Sequence, residues 1–169
     1  MIRKAIRKRQ GPGWSETIVC VDPSIKTCGV AVFQRGVLKH HELVKPVEYK
    51  KEDEFMRADE VYGRVRLTYR QWKADRILIE VPAYWANEGF AARESGNLGK
   101  LHFLCGMLAT IGPHILPSPH MWKGQMPKKV MRNRLWDVYD GVCGIDMATI
   151  DHNVLDAIGI GHWYLYGKV

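Results

Sequence analysis

Apolar residues fall in two rhythms along this chain, short dense runs and spaced stripes. From residue 17 to 22 the run T-I-V-C-V-D is β-branched and apolar until it ends on an acid, and Pro23 and Ser24 then turn the chain into C-G-V-A-V-F from residue 28. A third run, V-L-K-H-H-E-L-V, follows Gly36, so the pattern predicts three consecutive antiparallel strands. Over residues 53–72, Phe55, Met56, Val61, Val65, Leu67 and Trp72 recur among charges at helical spacing. Residues 76–81 predict a short buried strand that Pro82 ends just after Glu80. Leu98, Leu101, Leu104, Met107, Leu108 and Ile111 mark a helix over residues 97–111, which Gly112 and Pro113 stop before another short strand at 114–116. A basic helix starts at about Pro127 and reaches Tyr139, and the Gly-rich stretch 141–144 is a loop. The last helix runs from about Asp151, its N-cap, to Tyr166. Strands first, then alternating helix and strand, predict a mixed α/β sheet with helices on its faces.

At 169 residues the chain suits one domain, for which roughly 100–200 residues is ordinary. The expected division is a flexible basic arm over residues 1–13, closed by Gly11, Pro12 and Gly13, and a single folded domain over 14–169. Hydrophobic residues at 46% and charged residues at 25% exclude a disordered or fibrous chain. No apolar run approaches the ~20 residues that span a bilayer, so the expectation is a soluble cytoplasmic protein of a bacterium or a phage-infected cell. Cys20, Cys28, Cys105 and Cys143 lie far apart without zinc-type spacing and read as reduced, mostly buried thiols. The net charge of +7 points to a polyanionic partner. It concentrates in the arm (Arg3, Lys4, Arg7, Lys8, Arg9) and in a later cluster (Lys123, Lys128, Lys129, Arg132, Arg134), although either also suits a solvated face.

Three acids stand where apolar elements should exclude charge: Asp22 and Glu80 at strand ends, and Asp156 within V-L-D-A-I-G-I-G. A buried carboxylate needs a cation, a proton or a strong hydrogen-bonding shell, and convergence on a metal satisfies all three at once. Hard oxygen ligands suit Mg²⁺ or Mn²⁺, and two such ions about 3.5–4 Å apart can clamp a phosphodiester displacement. Each acid also has an ordinary alternative: Asp22 as a turn former, Glu80 paired with Arg76, Asp156 on a solvated helix face.

Here a resemblance enters. V-C-V-D-P-S-I-K-T-C-G-V-A-V-F resembles the opening hairpin of RuvC-type Holliday junction resolvases, which belong to the RNase H-like nucleases. I-L-I-E-V-P resembles their second acidic strand end, D-H-N-V-L-D-A-I-G-I-G their final helix, and W-K-G-Q-M-P-K-K-V the element before the basic helix in phage resolvases. The matches span most of residues 17–166. The resemblance implies an RNase H-like fold, with a mixed five-stranded sheet of three antiparallel and then two parallel strands. It also implies metal binding by Asp22, Glu80 and Asp156, with two Mg²⁺ per site for which Mn²⁺ substitutes. A fourth ligand usually stands three positions before the final Asp. That position is Asn153 here, and Asp151 and His152 stay open as alternatives.

By the same resemblance Lys123 lies near the scissile phosphate, where a cation stabilises developing charge. Lys128, Lys129 and Arg132 are candidates to track a phosphate backbone. Tyr84, Trp85, Phe90 and Arg93 lie in the segment that enters the junction in resolvases, where aromatics stack on unpaired bases. The helix over 97–111 aligns with the family's dimer helix, and Gly99, Gly106 and Ala109 permit close approach. The expected activity is resolution of four-way junctions and other branched DNA by a homodimer, through symmetric nicks made by metal-activated water, with no nucleotide cofactor. An RNA:DNA-hybrid nuclease and a non-catalytic DNA-binding scaffold are the alternatives. A sugar kinase or actin-like ATPase would need a second phosphate-binding hairpin and a much longer chain.

Overall fold

The computed structural model describes residues 14–47, 54–82, 97–167 and 169. The basic arm and the segment carrying Tyr84, Trp85, Phe90 and Arg93 lie outside the described residues. The strands are β1 (Thr17–Asp22), β2 (Cys28–Gln34), β3 (Val37–Val44), β4 (Arg76–Ile79) and β5 (His114–Ile115). The α-helices are α1 (Glu54–Gln71), α2 (Asn97–Ala109), α3 (Pro119–Trp122), α4 (Lys128–Tyr139) and α5 (His152–Tyr166). The sheet order is β3-β2-β1-β4-β5. β1, β2 and β3 pair antiparallel, whereas β4 joins β1 and β5 joins β4 in parallel, as the resemblance implied.

Both faces of the sheet are covered, which is why the strands read as nearly continuous apolar runs. Successive side chains point to opposite faces. Ile18, Cys20, Ala31, Phe33 and Leu78 pack with residues of α3, α4 and α5. Val19, Val21, Val30, Val32, Ile77 and Ile79 pack with residues of α1 and α2. α1 buries only a stripe, Ala58, Val61, Val65 and Thr68, whereas α5 is buried continuously from Asn153 to Gly161. No helix among the described residues is long and apolar enough to cross a membrane.

Several boundaries differ from the sequence pattern. β4 ends at Ile79 and β5 at Ile115, and α2 ends at Ala109. Pro127 stands outside α4 as its N-cap, with extended backbone angles. Val142–Gly144 forms a single 3-10 turn within the expected loop. The four-residue α3 went unread because it spans barely one helical turn, too short for a hydrophobic period to repeat. Cys20, Cys28 and Cys105 are buried and Cys143 is exposed, all four as free thiols.

Candidate active site

Strand parity brings two acids to one place. Val21 and Ile79 are register partners, and the Glu80 amide donates to the Val21 carbonyl at 3.0 Å, which extends the pairing one residue past β4. Asp22 and Glu80 therefore stand side by side, each two residues beyond a side chain (Cys20, Leu78) that packs on the α5 face. Asp156 meets them from α5, itself only 4% exposed. Two of the ordinary alternatives fail on geometry: Arg76 pairs with Glu16 at 3.2 Å rather than with Glu80, and Asp156 is not solvated.

α5 reaches this position because nothing stands between it and β2. A Cβ on Gly29 would lie 2.0 Å from the Asn153 carbonyl oxygen, so the first turn of α5 rests directly on the backbone of the hairpin. The Asn153 side-chain amide donates to the Thr27 carbonyl at 2.6 Å and to Thr27 Oγ1 at 2.8 Å, fastening that turn to the loop after Asp22. A carbonyl can only accept, so the amide nitrogen of Asn153 faces Thr27 and its oxygen faces away. Asp151 caps α5, accepting from the Asn153 backbone amide at 2.8 Å. The exposed His152 stands 3.7 Å from Asp151.

Lys123, just after α3, inserts its ammonium among the acids. It donates to Asp156 Oδ2 at 3.0 Å and lies 3.8 Å from Glu80 Oε2. The same nitrogen sits 4.6 Å from the centre of the Trp122 ring. Trp122 is buried, and its indole N–H donates to Glu80 Oε2 at 2.6 Å. Lys128 and Lys129 are exposed at the start of α4, and the charge of Lys128 favours the ionised forms of Asp22 and Glu80. Arg132 turns elsewhere: its guanidinium donates to the carbonyls of Met147, Ala148 and Ile150, bracing the loop that leads into α5.

The charges do not balance. Burial, followed by the charges of Glu80 and Asp156, pushes the Asp22 carboxyl well above its ordinary range. Burial likewise raises Glu80, against the opposing pull of Lys123 and the Trp122 hydrogen bond. Burial works against the Lys123 ammonium, yet Glu80 and Asp156 outweigh it and hold its pKa above the usual value. Asp156 Oδ1 is buried without a hydrogen-bond partner among the described residues. One ammonium among three carboxylates leaves a deficit of positive charge. Among the described residues, no three His, Cys, Asp or Glu side chains are drawn together tightly enough to form a ready ligand set. The donor chemistry nonetheless fits a hard divalent cation, which would match the all-oxygen set and engage the orphaned oxygen.

No known family model matches the sequence, and neither does any curated protein. Solved structures do. RuvC of T. thermophilus in complex with a Holliday junction substrate superposes with a TM-score of 0.59 at 19% identity, over 88% of this chain and 93% of that one. T. thermophilus RuvC by itself gives 0.58 at 17% identity over the same shares. The yeast mitochondrial Holliday junction resolvase Ydc2 gives 0.60 at 13% identity, over 96% of this chain and 82% of that one. The chain has the RuvC fold. The resemblance read from the sequence thus holds at the level of architecture, RNase H-like with the expected strand order.

On this RuvC fold the structure brings Asp22, Glu80, Asp156 and Lys123 together, with Asn153 and Asp151 at the adjoining helix start. Sequence reasoning missed Trp122 as the partner of Glu80. Its only local signal was a tryptophan beside a lysine singled out for its charge.

Proposed function

We propose that this chain is a metal-dependent endonuclease that resolves four-way junctions and other branched DNA. The observation that carries the reading is the grouping of Asp22, Glu80 and Asp156 around Lys123, with a charge deficit and an orphaned carboxylate oxygen, on a fold shared with Holliday junction resolvases. Asp22, Glu80 and Asp156 would hold Mg²⁺ or Mn²⁺, two ions per site, with Asn153, Asp151 or His152 as the further ligand. When bound, such ions supply an activated water and neutralise charge on the phosphate. Lys123 stabilises the developing charge on the scissile phosphate from its seat over Trp122. Lys128 and Lys129 take the flanking phosphates. Arg132 contributes by bracing the loop before α5, and Tyr84, Trp85, Phe90 and Arg93, outside the described residues, are the groups we assign to contact with the junction. α2 is the dimer helix. Its Leu104 and Leu108 enter the core, while Phe103 is exposed and a Cβ on Gly99 or Gly106 would meet nothing within 4 Å, which supports an outward face open to a second helix. A two-fold pair of sites would place symmetric nicks.

The test is cleavage of a labelled four-way junction against linear duplex and RNA:DNA hybrid, in Mg²⁺, Mn²⁺ or EDTA, with wild type and Asp22→Asn. Paired nicks in the junction alone, lost in EDTA and in the variant, are expected. Cutting of the hybrid instead would replace the substrate assignment, and junction binding without cleavage would make the protein a scaffold.

A further inference from the structure

We propose that Trp122 is a positioning residue for the metal centre, holding Glu80 through its indole N–H and seating Lys123 on its ring. This rests on the metal-nuclease reading above and adds to it a residue that acts through Glu80 and Lys123.

Three contacts converge on this side chain. The N–H donates to Glu80 Oε2 at 2.6 Å, across 42 positions of sequence. The ring face carries the Lys123 ammonium at 4.6 Å. Its far edge presses on α5 at Gly159, where a Cβ would lie 2.5 Å from the ring carbon Cζ3, so the glycine leaves the space that the ring fills. α3 is thereby keyed to the helix that carries Asp156, and through its N–H to the end of β4 that carries Glu80. An indole is a donor only. It fixes one oxygen of Glu80 without adding a charge that competes with a cation, and leaves the other oxygen uncommitted by this contact. A lysine in that place would neutralise the carboxylate; a phenylalanine would pack but not orient it. Groups that orient metal-binding carboxylates typically change metal affinity by about 10–100-fold when removed.

The experiment measures Mn²⁺ binding by calorimetry or electron paramagnetic resonance, with thermal unfolding in EDTA alongside, for wild type, Trp122→Phe and Gly159→Ala. Trp122→Phe keeps a ring against Gly159 and loses the donor, whereas Gly159→Ala keeps the donor and displaces the ring. The expected result is a Mn²⁺ dissociation constant raised about tenfold in Trp122→Phe and raised in Gly159→Ala, in protein that still unfolds cooperatively. Binding within twofold of wild type in folded Trp122→Phe would overturn the proposal and leave Trp122 as packing. Should Trp122→Phe not fold, wild-type affinity in Gly159→Ala would overturn it in the same way. Absence of Mn²⁺ binding by the wild type would remove the metal-nuclease reading and the role of Trp122 with it.

Discussion

Two buried polar groups hang from the same helix on the same face of the sheet, and they are built on opposite terms. Toward the start of α5, Asp156 joins Asp22 and Glu80 around one ammonium, with an oxygen left unpaired. Under two turns further on, His162 Nδ1 is hydrogen-bonded to the Tyr139 hydroxyl at 3.0 Å, with the rings of Tyr139 and Tyr166 packed around it. Burial holds His162 down to about 4 and pushes the Tyr139 phenol well above its usual value, so both are neutral and each satisfies the other. The second group is what a buried polar pair looks like when stability is all it serves. The first keeps mutually repelling charges out of water, which folding alone would not favour. That contrast is the physical argument for a bound cation.

The largest effect that would break the contrast is on catalysis. Asp22→Asn and Asp156→Asn should each lower junction cleavage about a thousandfold or more, since metal stabilisation of the transition state amounts to several kcal/mol and each 1.36 kcal/mol is a factor of ten. Gly29→Ala should come next, costing about 3 kcal/mol in chemical denaturation, because its methyl would meet the Asn153 carbonyl and lift α5 from the hairpin.

The two polar groups should then give opposite signs. In EDTA near neutral pH, Asp22→Asn should be more stable than wild type by on the order of 1 kcal/mol, as relief of buried repulsion predicts. Tyr139→Phe should be less stable by about 1 kcal/mol, as loss of a satisfied hydrogen bond predicts. A destabilised Asp22→Asn in EDTA would mean that its charge is already compensated in the fold.

The smallest effect is in the pH dependence, where the same opposition recurs. The Asp22 carboxyl is raised on folding, so the native state holds its proton longer. Wild type should lose stability relative to Asp22→Asn as pH rises above the ordinary carboxylate range, in EDTA. His162 is lowered from 6.5 to about 4, so the unfolded chain takes the proton first and its contribution is lost as pH falls through that window. His162→Gln should flatten the acid side of the stability curve between those values.

Much of this was legible in the sequence because it is written locally. T-I-V-C-V-D and R-I-L-I-E each place an acid at the end of a dense apolar run, and strand parity carries those acids to one face without further information. The depth of Asp156 followed from an apolar neighbourhood on every side, V-L-D-A-I-G-I-G. What escaped depends on pairings that no local period encodes. Trp122 finds Glu80, Asn153 finds Thr27, and Arg132 finds the carbonyls before α5, each across a separation that only the tertiary fold closes. Arg132 is instructive, because nothing in its basic cluster signals the loop carbonyls that its guanidinium caps.

The most direct test of the central claim, that the carboxylate centre is a divalent-cation site, is the thermal unfolding midpoint as a function of Mg²⁺ or Mn²⁺ for wild type and Asp156→Asn. A cation that binds only the folded state raises the midpoint with concentration. The account predicts a rising midpoint for wild type and little or no rise for Asp156→Asn. A wild-type midpoint unmoved by millimolar cation, or equal rises in both proteins, would contradict it.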